Sequence, residues 1–210
     1  IMNPGIDINS FPSKEEIVAI RKKKKEKIKL VSAGRFVSKK AFERGIEVVH
    51  ELVKKGLNVE YEIIGDGEDK EKYLTLIKKY NVEKQVTISP FIPVDQFSQL
   101  VEKYVHADFF VMLGRYDEQH DDIETFGIVY IEANMSGCPV IACDVGGVSD
   151  AVSDGKNGFL FQEYDSQKIA EKMNSLINDE AALDSLFTSS RNWGERFLWD
   201  ALIEKSRLLS

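Results

Sequence analysis

The sequence predicts an α/β fold, a single domain built on a doubly wound parallel sheet. Three observations carry this. Six short, mostly apolar runs alternate with longer segments of helical periodicity, so each strand reads as covered on both faces. Right-handed crossovers between such strands place helices on either side of the sheet. At 210 residues, with 43% apolar and 30% charged side chains, the chain hides roughly 70% of its unfolded surface and needs no disulfide or metal staple.

Residues 1–11 hold Pro4 and Gly5 without periodicity and read as a linker; a chain that opens on Ile1 rather than Met is expected to belong to something longer. Ser13 and Glu16 form a Ser-x-x-Glu capping box, which starts a short helix toward Lys24. Residues 1–25 are therefore taken as hinge and short helix, and 26–210 as the domain proper. The apolar run Ile28–Ala33 is the first strand and ends at Gly34. Phe42, Gly45, Ile46, Val49, Leu52 and Val53 then share one helical face up to Lys54-Lys55-Gly56. A strand at Val59–Ile64, a helix over residues 70–80, a strand at 85–89, a helix at 95–104 and an apolar strand at 108–113 follow. Beyond an acidic loop come a helix over 126–135, a strand at 139–143 and a short strand at Gly158–Phe161. Helices fill the remainder, the first carrying Ile169, Met173, Leu176 and Ile177 on one face.

Composition excludes several classes. No apolar run approaches the ~18 residues that span a bilayer, no charged-apolar-small signal peptide opens the chain, and Cys138 and Cys143 are too few for a disulfide framework. Residues 1–60 carry 14 basic and 8 acidic side chains, whereas residues 61–210 carry 14 and 27. A chain this acidic over most of its length does not read as a nucleic-acid binder. Seven of the nine residues 21–29 are Lys or Arg. They form either a solvated helix end and linker or a patch that meets an anionic membrane surface. The expected location is cytoplasmic, with peripheral contact at the inner face of the membrane resting on that second alternative.

In a doubly wound sheet a ligand lies at the carboxyl ends of the strands. After the first strand stand Gly34-Arg35 and, five residues on, Lys40, just ahead of a helix. Glycine lets backbone pass close to a ligand, and two cations beside a helix start make an anion site. Two plain surface cations are the other reading. Neither the G-x-G-x-x-G fingerprint nor a Gly-x-x-x-x-Gly-Lys phosphate loop follows this strand. Gly65-Asp66-Gly67 is a tight turn, or an edge where backbone atoms approach a base; Pro90-Phe91-Ile92-Pro93 is a plain loop or an apolar border for one.

The segment from Glu124 to Ala133 is the most informative. Thr125 is expected as an N-cap, leaving the amides of Phe126, Gly127 and Ile128 pointing out of the helix start, where a dipole of about half a positive charge suits phosphate. Glu132 falls in an apolar helix, where an unpaired carboxylate is costly and two sugar hydroxyls would satisfy it. Glu124 sits across the phosphate position. The bland alternative is a helix-start Glu and a salt-bridged core Glu. Asp117, Glu118, His120, Asp121 and Asp122 either bind a divalent ion or form a solvated loop, the latter being the expectation.

Glu124 to Ala133, followed by Gly137-Cys138-Pro139-Val140-Ile141 and Gly146-Gly147, resembles the signature of family four glycosyltransferases, in which Glu, seven residues and Glu mark the donor domain. Gly34-Arg35 with Lys40, Gly65-Asp66-Gly67, Asp154-Gly155 with Asn157-Gly158, and Phe197-Leu198-Trp199 fall in that family's order, and Asn3 to Phe11 resembles its hinge. Departures are Ala41 where Gly is frequent, Leu113-Gly114 for Pro-Ser, Thr125 for Gly and Asp150 for Glu; Lys39 competes with Lys40 for one role.

The resemblance implies one half of the two-domain GT-B architecture, with 26–210 as a Rossmann-like nucleotide-sugar-binding domain and the N-terminal acceptor domain missing. It implies a retaining sugar transfer from a nucleoside-diphosphate sugar, UDP- or GDP-linked, to a glycan or lipid-linked acceptor in polysaccharide or glycolipid synthesis. Arg35, Lys40 and the amides of Phe126, Gly127 and Ile128 would hold the departing diphosphate; Glu132 would bind the ribose, Glu124 the transferred sugar, and Gly65 and Ile92 would border the base. No metal or other cofactor is implied, and the fragment alone is expected to be inactive. A phosphorylase or disaccharide synthase with the same donor site is an alternative, as is a non-catalytic scaffold. A dinucleotide oxidoreductase would want the absent glycine fingerprint.

Overall fold

A computed structural model describes residues 5–21 and 27–208. Its elements are α1 (Lys14–Arg21), β1 (Ile28–Ala33), α2 (Phe42–Lys54), β2 (Val59–Ile64), α3 (Lys70–Lys79), β3 (Val86–Ser89), α4 (Phe97–His106), β4 (Phe109–Met112), α5 (Ile128–Met135), β5 (Val140–Cys143), α6 (Val148–Ala151), β6 (Gly158–Phe161), α7 (Ser166–Ile177), α8 (Glu180–Gly194) and α9 (Trp199–Leu208). The six strands are parallel in the order β3-β2-β1-β4-β5-β6. This is the predicted doubly wound sheet. The strand order reverses between β1 and β4, which pair through Leu30 with Phe109 and Val31 with Phe110. In doubly wound sheets this reversal is where a ligand is expected, at the carboxyl ends of those two strands.

Both faces are covered, as the apolar strands require. α2 packs on α3 and α7 on one side; α4, α5 and α8 pack together on the other. The fully buried large side chains include Tyr61, Tyr73, Tyr104, Tyr130, Phe109 and Phe110. Each contributes about 1.5–3 kcal/mol through the apolar surface it removes from water. Ser32, buried in β1, shares a hydrogen bond of 2.6 Å with the Tyr61 hydroxyl.

The capping box forms as read from the sequence: Ser13 N–H donates to Glu16 Oε2 at 2.8 Å and Glu16 N–H to Ser13 Oγ at 3.2 Å. α1 ends at Arg21; the expected extension to Lys24, residues 22–26 of the lysine-rich run and residues 1–4 lie outside the described residues. The segment from Gly5 is docked rather than a free linker. Ile6 is buried, its N–H donates to Phe197 O at 3.0 Å, and it accepts from Trp199 N–H at 3.3 Å. α1 packs on α4 through Ile17, Val101 and Val105. Among the described residues no helix is long and apolar enough to cross a membrane.

Candidate functional site

The loops after β1 and β4 meet at the reversal of strand order. Arg115 N–H donates to Lys39 O at 2.9 Å, and the Arg115 side chain reaches Ser38 Oγ at 3.2 Å and buried Glu43 at 2.8 Å. Lys72 from α3 also pairs with Glu43, at 2.7 Å. Arg44 on α2 donates to the carbonyls of Leu113 and Gly114 at 3.0 and 2.9 Å. The end of β4 is thereby tied to the first turns of α2.

This joint brings together two residues that stand far apart in sequence. Lys40 forms an ion pair with Glu124, and both side chains are mostly buried. Lys39 instead meets Asp122 at 2.9 Å, so the two neighbouring lysines have different partners. Arg35 is exposed at the same edge, and its side chain has no hydrogen-bond or ion-pair partner among the described residues. Gly65 is buried beside it: Gly34 N–H donates to Ile64 O and Gly65 N–H to Ser89 O, each at 3.0 Å. Ile92 is half-buried after β3, packed on the core.

The start of α5 differs from the sequence expectation. The N-cap is Gly127, not Thr125, and the helix opens at Ile128. Phe126 is buried, with its ring 5.6 Å from that of Phe197. This contact draws the chain inward, and Gly127 then turns it back out at φ 77° and ψ 74°, a left-handed conformation that favours glycine. The outward amides at the helix start are therefore those of Ile128 and Val129, since Tyr130 N–H is already bonded to Gly127 O at 3.0 Å. The Phe126 side chain anchors the turn.

Gly146-Gly147 explain themselves here. Gly147 N–H donates to Glu124 O at 2.9 Å, and a Cβ on Gly147 would stand 1.8 Å from Thr125 O. Only a residue without a side chain lets this backbone lie against the 124–125 stretch. A second close device is Ala41, which caps α2 at φ 48° and ψ 43°. The departure noted from the family pattern thus falls on a left-handed residue, and alanine adopts that conformation with strain.

Glu132 lies on α5 with its carboxyl largely buried and no hydrogen-bond or ion-pair partner among the described residues. Burial pushes it up to about 7, since removal from water penalises the charged form. The Tyr104 hydroxyl is buried without a hydrogen bond, and burial first, then the Glu132 charge, holds its proton on. Among the described residues Glu132 is thus a largely buried carboxyl without the salt bridge that the bland alternative gave it.

In the acidic loop Glu118, His120, Asp121 and Asp122 are exposed, in line with the expected solvated loop, and buried Asp117 closes it into a turn. Asp117 and Asp122 exchange backbone hydrogen bonds of 2.8 and 3.1 Å. Asp117 is buried and accepts from His120 Nδ1 at 2.8 Å, Tyr116 donates to Asp121, and Asp122 takes Lys39. The hydrogen bond from His120 lowers the Asp117 carboxyl, and Asp117 in turn raises the His120 imidazole. Among the described residues no three His, Cys, Asp or Glu side chains converge on a metal position.

Sequence reasoning missed Glu43, Arg44, Arg115 and Asn134. Asn134 and Asn157 form a buried amide pair. Asn157 Nδ2 donates to Asn134 Oδ1 at 2.6 Å and to Ala151 O at 3.0 Å, while Asn134 Nδ2 donates to the carbonyls of Cys138 and Asn157 at 3.1 and 3.0 Å. The pair locks α5 to the turn ahead of β6. A polar residue in the middle of the apolar α5 run was the one signal available for it.

Comparison with known proteins bears on the family and the fold. The profile described as Glycosyl transferases group 1 matches residues 13–196. The chain is 29% identical to the sulfoquinovosyl transferase SQD2 of Arabidopsis thaliana, over 99% of this chain and 38% of that protein. It is 30% identical to the capsular polysaccharide biosynthesis glycosyltransferase CapM of Staphylococcus aureus, over 80% of this chain and 43% of that one. A crystallised point mutant of S. aureus TarM, in complex with UDP among other ligands, superposes with a TM-score of 0.78 at 24% identity, over 99% of this chain and 38% of that one. HepE of Anabaena, crystallised with UDP and glucose, gives 0.76 at 21%, over 99% and 55%. The chain spans about half or less of these relatives, and its fold is one half of their GT-B architecture. With the profile covering most of its length, the chain belongs to the group 1 family of glycosyl transferases.

Proposed function

We propose that this chain is the nucleotide-sugar donor domain of a retaining glycosyltransferase. The observation that carries the reading is the meeting of Lys40 and Glu124 at the carboxyl edge, where the strand order reverses, with the start of α5 beside them. Crystal structures of TarM and HepE contain UDP, and a relative in Mycolicibacterium smegmatis is described as GDP-mannose-dependent, so a nucleoside diphosphate sugar is the ligand class.

In this reading the bond from the anomeric carbon to the diphosphate oxygen breaks, the acceptor hydroxyl oxygen forms the new bond on the same face of the sugar, and the proton it loses passes to the departing diphosphate. Negative charge grows on the departing diphosphate, where fixed cations and dipoles act most strongly. Arg35, Lys40 and the amides of Ile128 and Val129 supply them. Glu132 accepts the ribose hydroxyls, Glu124 those of the transferred sugar, and the loops at Gly65 and Ile92 border the base. The positive groups do the work a metal would otherwise do. The acceptor belongs to a second domain of the same protein and to glycan or glycolipid assembly.

A thermal-shift panel of UDP, GDP, ADP and NAD on the wild type, Glu132→Ala and Arg35→Ala tests this. Ligand at a hundred times its Kd stabilises by about 2.7 kcal/mol, roughly 5–10 °C at this size. A rise with one nucleoside diphosphate that both variants lose supports the reading. A response to NAD alone overturns it, and no response to any nucleotide favours a non-catalytic scaffold.

A further inference from the structure

Lys39 and Lys40 stand side by side ahead of α2, and the sequence offers both for the same role. The structure gives them different partners. Lys39 is bound to the chain beyond β4 through its backbone and through its side chain. Its carbonyl accepts from Arg115 N–H at 2.9 Å, and a Cβ on Gly114 would stand 3.0 Å from that oxygen. Its ammonium donates to Asp122 Oδ1 at 2.9 Å and to Ile123 O at 3.4 Å. Lys40 pairs with Glu124.

Asp122 is a fixed partner for Lys39. Its backbone pairs with that of Asp117, the chain ahead of it turns at left-handed Asp121 with φ 48°, and its Oδ1 also accepts from Ile123 N–H at 2.9 Å. The Lys39 hydrogen bond holds the Asp122 carboxyl below its usual range, so the pair is charged at neutral pH. Glu124, two residues on, is held from the other side by Gly147 N–H, which donates to Glu124 O at 2.9 Å. The stretch 122–124 is thereby tied at both ends, by Lys39 before Glu124 and by the glycine pair at Glu124 itself.

We propose, resting on the donor-site reading, that Lys39 and Asp122 are positioning residues whose ion pair keeps the Glu124 carboxylate at the edge when a diphosphate draws Lys40 away. Glu124 then stays where the hydroxyls of the transferred sugar arrive, and Lys39 is not itself a ligand of the diphosphate. Holding Glu124 there sets a carboxylate close to the negative charge of the diphosphate. Without the Lys39–Asp122 pair the Glu124 side chain turns toward water and that repulsion is relieved.

The test is a double-mutant cycle read by calorimetry with UDP and GDP. Lys39→Met with Asp122→Asn removes one charge of each sign, so the local charge is unchanged and a shift in affinity reports the position of Glu124. This double variant is compared with the wild type, with Glu124→Gln and with the triple variant, and thermal midpoints show that each is folded. The double variant is expected to bind the nucleoside diphosphate about threefold tighter than the wild type, and the triple variant no tighter than Glu124→Gln, because the pair acts through Glu124. Weaker binding by the double variant makes Lys39 a diphosphate ligand and overturns the proposal. Unchanged binding overturns it as well, as does a triple variant that gains the full factor of the double variant over Glu124→Gln. A wild type that binds neither UDP nor GDP removes the donor-site reading and this proposal together, whereas a wild type that binds beside an unmoved double variant removes the positioning pair alone.

Discussion

Glu132 sets a pH dependence of its own. Its carboxyl titrates near 4.5 when unfolded and about 7 when folded, so between those values the native state holds more protons than the unfolded state. Stability therefore falls as pH rises from about 4.5 to 7 and levels off above, by about 3 kcal/mol in all. Glu132→Gln flattens this segment of a denaturant-midpoint profile; an unchanged profile shows that another group is responsible. In the proposed reading the charged form accepts two ribose hydroxyls, so nucleoside diphosphate affinity should weaken by about tenfold per unit well below pH 7, and less steeply in Glu132→Gln. Lys40 and Glu124 give a second prediction. In the proposed reading a diphosphate competes with Glu124 for the Lys40 ammonium and is repelled by the carboxylate beside the α5 start. Glu124→Gln is accordingly expected to tighten UDP or GDP binding by roughly 1 kcal/mol, about fivefold in Kd, while Lys40→Ala weakens it. Calorimetry that finds weaker binding in Glu124→Gln removes the competition. All of these side chains were visible in the sequence. The pairing was not, because Lys40 and Glu124 meet only when the loops after β1 and β4 are brought side by side.

At the scale of elements, the proposed site rests on helix starts at the carboxyl edge, and two of them begin on left-handed residues. Ala41 leads α2 at φ 48° and Gly127 leads α5 at φ 77°. Left-handed backbone costs a non-glycine residue about 1–2 kcal/mol, and glycine's freer unfolded chain returns about 0.5–1 kcal/mol of that. Ala41→Gly is thus expected to be neutral or stabilising by up to about 1 kcal/mol. Gly127→Ala should destabilise by more than about 1–2 kcal/mol, because its Cβ would also stand 2.5 Å from the Tyr130 ring. Chemical denaturation of both variants checks the pair, and a large loss in Ala41→Gly contradicts it. The strands and most helices were legible as elements, since apolar runs and 3.6-residue periodicity are local signals. The start of α5 was misplaced by two positions because Phe126 is held by Phe197, a contact no local pattern announces.

For the whole molecule, the sheet order leaves one crevice at its carboxyl edge, and the chain spans half or less of the relatives it resembles. The expected behaviour is nucleotide binding without sugar transfer, because the reading assigns the acceptor to a further domain. Release of nucleoside diphosphate from UDP- or GDP-sugars, followed with a coupled assay on this chain, should stay at background when a glycan acceptor is supplied. Turnover by the chain itself would refute the division of labour.

By itself the sequence determined the alternation of strands and helices, the doubly wound class and the identity of the residues along the carboxyl edge. Those follow from apolar periodicity and from the rule that ligands gather where parallel strands end. It also supplied the ordered motifs by which the family was recognised. Tertiary structure decided what each residue meets: Lys40 with Glu124 and Lys39 with Asp122, Gly147 beneath Thr125, Asn157 locked to Asn134, and Ile6 drawn onto Phe197. It decided the burial that raises the Glu132 carboxyl as well. Burial and partnership are properties of chain segments far apart in sequence, and they take a value only when packing has fixed which surfaces face water.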